Sequence, residues 1–429
     1  MKKYQLILSA ILSTAIVLAA CAPTPAAPPT SSQPQQVPAA TENSGQIEKT
    51  VIIGFTSSLT GSLSVEAKRQ NNGILLWMNS VNQRGGLVLS NELIVKFEPI
   101  FYDDQSSGAK AQELYERLAI EDNVDFFFGP YSSTLTDVVA PIADKYQKIM
   151  ISPGAASDST FKKGYRNIYQ VYTPAGNYLV GALDLLAQKD PTAKRIAIVY
   201  ENDRFSTSVV ESLKKYAEET GFEIVVLESY NSDTTNFAPL VQKLIQANPD
   251  AIFGGGHLAD GQALVKQAYT NSLKVKYMAL LVAPSDSSFS DLGAAALGVI
   301  GPSQWEPQVQ FVADFGPTVI EFNQAYQAAY SVEPSYHAAG GYAAGLILEK
   351  ALLEAGSLDQ QKIRAALDST NIITFFGPLR FDRSEASHGL QIGHEMVYIQ
   401  WQQNPDNTPA KQIVWPDIGK TAELVYPIR

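Results

Sequence analysis

The stretch Thr50-Val51-Ile52-Ile53-Gly54-Phe55 is a short apolar run, rich in β-branched residues, that predicts a fully buried strand. An amphipathic helix is expected after it, over about residues 64–81. The apolar side chains that recur there at helical spacing are Ile74, Leu75, Met78 and Val81. A second strand is expected over residues 93–102, after the break at Gly85-Gly86. A strand, a helix and a strand in this order are typical of a parallel sheet.

The same alternation continues outward along the chain. A helix over 109–121 and strands over 124–128 and 148–152 complete a first α/β unit. A second unit is expected to have strands over 195–200, 222–227, 251–253 and 276–281 and helices over 208–219, 239–246 and 261–269. The sequence therefore predicts an α/β protein with two doubly wound parallel sheets.

The last third of the chain predicts how these two units are connected. Residues 318–367 are helical in pattern, and strands are expected over 375–382 and 396–401. Because those late strands must join a sheet that is already built, the chain is expected to cross between two lobes more than once. In open α/β sheets ligands bind beyond the carboxyl ends of the strands, so two facing edges predict a binding cleft.

The N-terminus has the pattern of a secretory signal. Lys2 and Lys3 precede a short apolar stretch, which ends at Leu18-Ala19-Ala20-Cys21. This last run resembles a bacterial lipobox, which implies cleavage after residue 20 and lipid attachment to Cys21, the only cysteine in the chain. Residues 21–47 hold six prolines and little that could form a core, so we expect a disordered tether to the membrane. The protein is then secreted across the cytoplasmic membrane and anchored on its outer side.

Composition excludes several classes of function. The net charge of -11 argues against nucleic acid, which requires clustered Lys and Arg. The four histidines, His257, His337, His388 and His394, fit no metal-ligand spacing, and neither a nucleophile elbow nor a phosphate loop is present. We therefore expect no enzyme activity, no metal and no cofactor.

Two loops carry small polar residues at the expected sheet edge. Tyr131-Ser132-Ser133-Thr134 follows one strand and opens a helix, where hydroxyls either cap the helix or, with the free amides, hold an anion. Both interpretations stay open from the sequence. The second loop, residues 151–157, includes Gly154, Ala156 and Ser157. The aromatic residues Tyr172, Tyr178 and Phe205 are expected in loops, where rings hold an apolar ligand or a cation.

Several short motifs occur along the chain in an order that is characteristic of one protein family. They are Thr60-Gly61, Asn72-Gly73, Asn82 with Gly85-Gly86, Tyr102-Asp103-Asp104, Gly129-Pro130 with Ser132-Ser133, Ile151-Ser152-Pro153, and Phe376-Gly377-Pro378-Leu379 with Phe381-Asp382. The chain from about residue 49 to 401 thereby resembles the branched-chain amino-acid binding proteins of ABC transporters. That resemblance implies a type I periplasmic-binding-protein fold with three hinge crossings. It places lobe 1 at 48–172 plus 305–371 and lobe 2 at 173–304 plus 372–429.

The resemblance also implies a ligand site. Ser133 matches the serine that holds a ligand carboxylate, with Tyr131 and Ser132 beside it, and Gly154 and Ala156 match two further contacts. Phe205 and His257 match two lobe-2 tyrosines that pack on the ligand. The family's lobe-2 glutamate, which pairs with the ligand ammonium, falls at Leu281, and the usual threonine falls at Ala156 beside Ser157.

These departures leave the ligand open. Glu66, at a position where the family often has an aromatic residue, either substitutes for the missing glutamate or is a solvated helix residue, and we favour solvation. A buried ammonium without a partner is costly, so a carboxylate, amide or aromatic compound is as plausible as an amino acid. We expect a monomeric, lipid-anchored solute-binding protein that serves an ABC permease. The alternative is a ligand-sensing receptor component with a separate signalling partner.

Overall fold

The computed structural model describes residues 47–89, 92–309 and 311–428. The predicted signal peptide, Cys21 and almost all of the predicted tether therefore lie outside the described residues. The first strand, β1 (Ile47–Ser57), is followed by helix α1 (Ser64–Gln83) and by strands β2 (Leu87–Val88) and β3 (Leu93–Asp103). After them come α2 (Gly108–Ile120), β4 (Phe126–Phe128), α3 (Ser133–Lys145), β5 (Met150–Ser152) and β6 (Ile168–Gln170).

These six strands form one sheet in the order β2-β3-β1-β4-β5-β6. Strands β3, β1, β4, β5 and β6 run parallel, whereas β2 is an antiparallel edge strand. β1 is buried along most of its length, as predicted, because helices cover both faces of a parallel sheet.

The second sheet starts after helix α4 (Val180–Lys189). Its parallel part contains β7 (Arg195–Glu201), β8 (Glu223–Tyr230), β9 (Ala251–Gly255), β10 (Tyr277–Leu280) and β11 (Ile300–Ser303), linked by α5 (Arg204–Glu219), α6 (Ala238–Ala247) and α7 (Leu258–Thr270). After the helices α8 (Val319–Tyr330), α9 (Tyr336–Ala355) and α10 (Gln360–Asp368), the chain adds β12 (Asn371–Thr374), β13 (Gly377–Arg380), β14 (Val397–Gln403) and β15 (Pro409–Trp415).

The strands near the end of the chain, β12 to β15, differ from two of our expectations. β12 and β13 pair with each other in a separate hairpin, so the strand expected over 375–382 does not join a larger sheet. β14 does join the second sheet, but it is antiparallel to β11 and is followed by antiparallel β15. The order β15-β14-β11-β10-β9-β7-β8 is therefore a mixed sheet rather than a wholly parallel one.

The architecture has two lobes with three crossings between the sheets, as the fold class predicts. The chain leaves the first sheet after β6, returns after β11 to the helices that pack near α1, and enters the second sheet again at β14. At the crossings Gln304 accepts a hydrogen bond from the Thr173 amide at 2.9 Å and donates one to the Tyr178 hydroxyl at 2.7 Å. The residue boundaries of the two lobes stay a prediction.

Helices α1 and α9 pack on the first sheet with their backbones in close approach. An ideal Cβ at Gly73 would lie 1.9 Å from the carbonyl oxygen of Ala338, and one at Gly341 would lie 2.2 Å from that of Gln70. Only glycine fits at both positions, so the two helices meet at their main chains. Among the described residues, no helix is both long and apolar enough to span a bilayer.

Candidate functional site

A small cavity lies where loops after parallel strands of both lobes meet. Its lining residues are Tyr131, Ser132, Ser133, Gly154, Ala156, Tyr172, Tyr178, Phe205, His257, Val282 and Tyr336. The loops that supply them follow β4, β5, β6, β9 and β10, and the first turns of α3, α5 and α9 complete the wall. The carboxyl ends of the strands in both sheets therefore face this space, as the sequence predicts.

The cavity is tight in this conformation. It offers about 10 Å³ to the centre of a water molecule, which is room for about one water. A groove of about 530 Å³ continues outward from it and shares Ser132 and His257 with it. Any ligand with a ring or a branched chain therefore requires the lobes to separate or the lining side chains to move.

Ser133 connects the two polar loops of the first lobe. Its Oγ accepts hydrogen bonds from the amides of Ala156 at 3.1 Å and Ser157 at 3.0 Å. Ser132, the residue that precedes α3, makes no side-chain cap on that helix. Ser132 therefore does not cap α3, whereas the Thr134 hydroxyl accepts the amide of Arg204, the first residue of α5, at 3.3 Å. Ser157 lines the outer groove rather than the cavity.

His257 connects the two lobes. Its Nδ1 lies 3.0 Å from the Tyr131 hydroxyl, and its Nε2 lies 3.2 Å from Asp203 Oδ2. Burial opposes a charge on this ring. The Asp203 carboxylate, with Glu201 and Glu66 nearby, outweighs burial and raises the pKa of His257 to about 10. The side chain is therefore an imidazolium at neutral pH.

The carboxyl groups around His257 respond to the same environment in different ways. Burial raises the pKa of Glu201 and that of Asp260. For Asp203, burial is opposed and outweighed by the hydrogen bond and charge of His257, so its pKa is lowered. Asp203 is therefore the ionised partner of the imidazolium.

Glu66 is not a solvated helix residue, so that expectation is wrong. Its side chain is buried, and Oε1 accepts a hydrogen bond from the Leu258 amide in the first turn of α7 at 3.1 Å. A lobe-1 carboxylate thus binds the positive end of a lobe-2 helix. Glu66 does not line the cavity, and further contacts between the lobes join Arg69 to Asp286 and Arg204 to Asp137.

The structure places Leu281 away from the cavity. Leu281 is buried in the hydrophobic core, and the next residue, Val282, lines the cavity instead. Val282 has φ 46° and ψ -61°, and the Ala283 amide bonds to the Leu281 carbonyl at 2.5 Å across it. This is a classic γ-turn, a rare and strained geometry for a β-branched residue.

Aromatic rings form most of the cavity wall. Phe205 contacts the ring of Tyr178 at 5.1 Å between centroids, and Tyr172 contacts Tyr336 at 5.6 Å. Phe205 lies in the first turn of α5, which begins four residues earlier than expected, and not in a loop. Tyr336 was not predicted, because nothing in its local sequence distinguishes it from a core tyrosine.

The described residues contain no group of three or more His, Cys, Asp and Glu side chains placed to hold a metal ion. The cavity wall likewise contains no Asp or Glu among the residues that the structure describes. The arrangement of hydroxyls, amides and rings suits the binding of a small molecule.

Comparison with known proteins agrees with this geometry. The chain is 22% identical to the leucine-, isoleucine-, valine-, threonine- and alanine-binding protein of Pseudomonas aeruginosa, over 84% of this chain and 92% of that one. It is 24% identical to the Leu/Ile/Val-binding protein homolog 7 of Brucella suis, over 87% and 94% of the two chains.

Two solved structures show the same fold. One is the branched-chain amino-acid transporter substrate-binding protein of Streptococcus pneumoniae in complex with isoleucine, with a TM-score of 0.70, 20% identity, and coverage of 86% of this chain and all of that one. The other is an ABC-transporter solute-binding protein of Rhodopseudomonas palustris with p-hydroxybenzoic acid, with a TM-score of 0.72, 20% identity, and coverage of 86% and 99%.

The sequence pattern of one family matches residues 50–406, which is most of the chain. The two-lobed α/β fold, the cavity between the lobes and this match lead to one conclusion: the chain belongs to the periplasmic binding protein family.

Proposed function

We propose that this protein delivers a small carboxylate or amide compound with an apolar or aromatic body to an ABC importer, without altering it. The observation that carries the proposal is the aromatic cavity between the lobes, with the Ser133 hydroxyl in its wall. Ser133 Oγ already accepts two amide N–H groups, so its own hydrogen remains to be donated to a ligand oxygen.

The absence of an acidic side chain from the described cavity wall supports a ligand other than a simple α-amino acid. An ammonium group in this space would meet neutral oxygens, aromatic rings and the His257 ring, but no carboxylate of the described wall. Relatives in the same fold bind both isoleucine and p-hydroxybenzoic acid, so the fold accommodates either class of ligand. The wall of this chain favours the second class.

The proposed cycle uses hinge closure. The open form exposes Ser133 and its neighbours, a ligand binds to lobe 1, and lobe 2 closes with Phe205 and His257 over it. The contacts of Glu66 with Leu258 and of Arg204 with Asp137 support this step, because each joins one lobe to the other. The closed form then docks on the permease.

We further propose that Cys21 carries a lipid and that the following segment tethers the monomeric body to the outer side of the membrane. Its position at the end of an apolar stretch with a basic start supports this proposal. The receptor alternative, in which closure signals to a separate partner, shares the same binding step.

A thermal-shift screen tests the binding proposal. Benzoate, 4-hydroxybenzoate, their amides, leucine and valine are added separately, and the transition temperature of the protein is recorded. A ligand at 100 times its Kd stabilises the folded state by ~2.7 kcal/mol, which is readily detected. We expect the aromatic carboxylates to stabilise the protein more than leucine or valine. A larger shift with leucine or valine would contradict the ligand class, and chemical conversion of the bound compound would contradict the binding role.

A further inference from the structure

Three hydroxyl groups in the cavity wall retain the capacity to donate. Ser133 Oγ accepts two amide N–H groups and has no acceptor for its own hydrogen among the described residues. The Tyr172 hydroxyl is buried and has no hydrogen-bond partner in the described part of the chain. The Tyr131 hydroxyl has a single partner there, His257 Nδ1.

The protonation state of His257 decides whether the Tyr131 hydroxyl donates or accepts the hydrogen bond between these two side chains. Asp203 accepts hydrogen bonds only, so His257 Nε2 carries a hydrogen toward it across 3.2 Å. Burial disfavours a second proton, but Asp203 first, and then Glu201 and Glu66, outweigh burial and raise the pKa of this ring. Asp260 faces the same residue through the His257 amide.

With both nitrogens protonated, His257 Nδ1 donates to the Tyr131 oxygen. Burial, and then the charge of Glu66, raise the pKa of Tyr131, so the tyrosine keeps its proton. The hydrogen of that hydroxyl is therefore free to point to a ligand. A positive ring behind the tyrosine also makes the hydroxyl a stronger donor.

The helices that begin at the cavity also favour a negatively charged ligand. α3, α5, α7 and α9 each begin at, or one residue from, a residue of the cavity wall: Ser133, Phe205, His257 and Tyr336. The positive ends of four helices therefore converge on one small space, where they favour negative charge. Glu66 and Asp203 offset part of this effect, because Glu66 accepts the Leu258 amide at the start of α7 and Asp203 accepts the Ser206 amide in the first turn of α5. The first turns of α3 and α9 contain no acidic residue, so their positive ends are not offset in this way.

We propose that His257, held by Asp203, acts through the Tyr131 hydroxyl to make this cavity selective for anionic ligands over their neutral and cationic isosteres. His257 is thus a specificity-determining residue, and the ligand class narrows to carboxylates without an ammonium group. The inference rests on the proposed function, since it concerns the same cavity.

A cationic ligand is the main competitor. Aromatic walls also bind quaternary ammonium groups through cation–π contacts. The His257 imidazolium lines the cavity whereas its counter-ion, Asp203, does not, so the positive partner of the pair faces such a ligand and repels it. The two classes therefore predict opposite responses to the charge of the ligand.

The experiment compares benzoate, benzamide and benzamidine, which have nearly the same shape and carry a negative, zero and positive charge. Their dissociation constants are measured by isothermal titration calorimetry at pH 7. We expect benzoate to bind about tenfold more tightly than benzamide, the difference between a charge-assisted and a neutral hydrogen bond. We expect benzamidine to bind most weakly.

Variants separate charge from shape. In His257→Gln the ratio of benzamide to benzoate dissociation constants should fall toward one, and His257→Lys should restore part of it. In Asp203→Asn the imidazolium loses its counter-ion, so the pKa of His257 should fall. The ratio of benzamide to benzoate dissociation constants should then be kept at pH 6 and lost at pH 8. His337→Gln is the matched control, since the His337 ring also contacts the Tyr131 ring, at 5.2 Å between centroids, while burial holds the pKa of His337 well below its usual value.

The outcomes distinguish this inference from the proposed function. If benzamide or benzamidine binds more tightly than benzoate, or if His257→Gln keeps the full ratio, the inference is overturned while a solute-binding role stands. If neither these compounds nor any amino acid or aromatic acid binds the wild-type protein, the proposed function itself fails.

Discussion

Ser133 has one hydrogen-bonding capacity left after folding, and the whole ligand proposal depends on where that hydrogen points. We expect Ser133→Ala to weaken a carboxylate ligand about tenfold or more, because a donor is lost and the Ala156 and Ser157 amides lose their acceptor. Calorimetric titration measures the change. Ser133→Thr keeps the hydroxyl and serves as the control. Unchanged affinity in Ser133→Ala would refute the assignment of this residue.

The raised pKa of His257 leads us to predict that the free energy of unfolding depends on pH. Its pKa is raised to about 10 in the folded protein, whereas an unfolded histidine titrates near ~6.5. The stabilisation is therefore complete below pH ~6.5 and is lost as the pH rises toward about 10, by about 5 kcal/mol at ~1.4 kcal/mol for each pKa unit. Denaturant unfolding at several pH values measures this loss. His257→Gln should flatten the profile in that window, and an equally steep profile in the variant would rule out His257 as its source.

The backbone conformation of Val282 leads us to predict that glycine is more stable than alanine at this position, the reverse of the usual order. Glycine normally destabilises a protein relative to alanine, but Val282 has a positive φ that favours glycine. We expect Val282→Gly to be more stable than Val282→Ala by about 1 kcal/mol, although both lose the same methyl groups. Chemical denaturation of the two variants decides the sign. A more stable alanine variant would mean that the γ-turn is relaxed.

Some residues of the site could be predicted from the sequence, and others could not. Tyr131, Ser133, His257 and Phe205 were identified because they follow strands or match a motif order. Leu281 was one position off, because the γ-turn at Val282 redirects the chain and has no signature in its sequence. Tyr336 reaches the cavity from a helix far along the chain, a contact that only the fold creates.

At the scale of elements, the contact between α1 and α7 joins the two lobes. Glu66 in α1 lies at the positive end of α7, and such a charge contributes ~1 kcal/mol in a partly buried setting. We expect Glu66→Gln to shift the equilibrium toward the open form about fivefold, and Glu66→Ala to shift it further. The radius of gyration from solution X-ray scattering reports the shift.

Glu113→Gln, on the exposed face of α2, provides the control for that experiment. It removes a charge without touching the other lobe, so its scattering should match that of the wild type. A Glu66→Gln variant that remains as compact as the wild type would show that this contact does not hold the lobes together.

Elements with strong periodicity were predicted well, and weak ones were not. α1 has regularly spaced apolar residues and was predicted with nearly the observed bounds, whereas β1 was recognised from its apolar centre and extends beyond it at both ends. β15 was missed because its pattern is Pro-Ala-Lys-Gln before three apolar residues, and its place in the sheet depends on pairing with β14. Pairing between distant segments is decided by tertiary packing rather than by local pattern.

At the scale of the molecule, the family resemblance supplied what periodicity did not. Alternating strands and helices predict two sheets, and the late strands predict more than one crossing between them. That there are three crossings followed from the ordered motifs of the family. The ligand does not follow from either, because it depends on a few side chains such as His257 and Val282 that differ among proteins of one fold.

The central claim is that a small carboxylate is held between the two lobes. Fluorescence energy transfer tests it most directly, with dyes on cysteines introduced at exposed Glu113 in lobe 1 and exposed Lys215 in lobe 2, and with Cys21→Ser to leave no other thiol. The best-stabilising carboxylate from the thermal-shift screen is then titrated. The account predicts a saturable one-site change to a shorter distance, which Ser133→Ala shifts to higher concentration. A distance that stays constant while calorimetry records binding would contradict it.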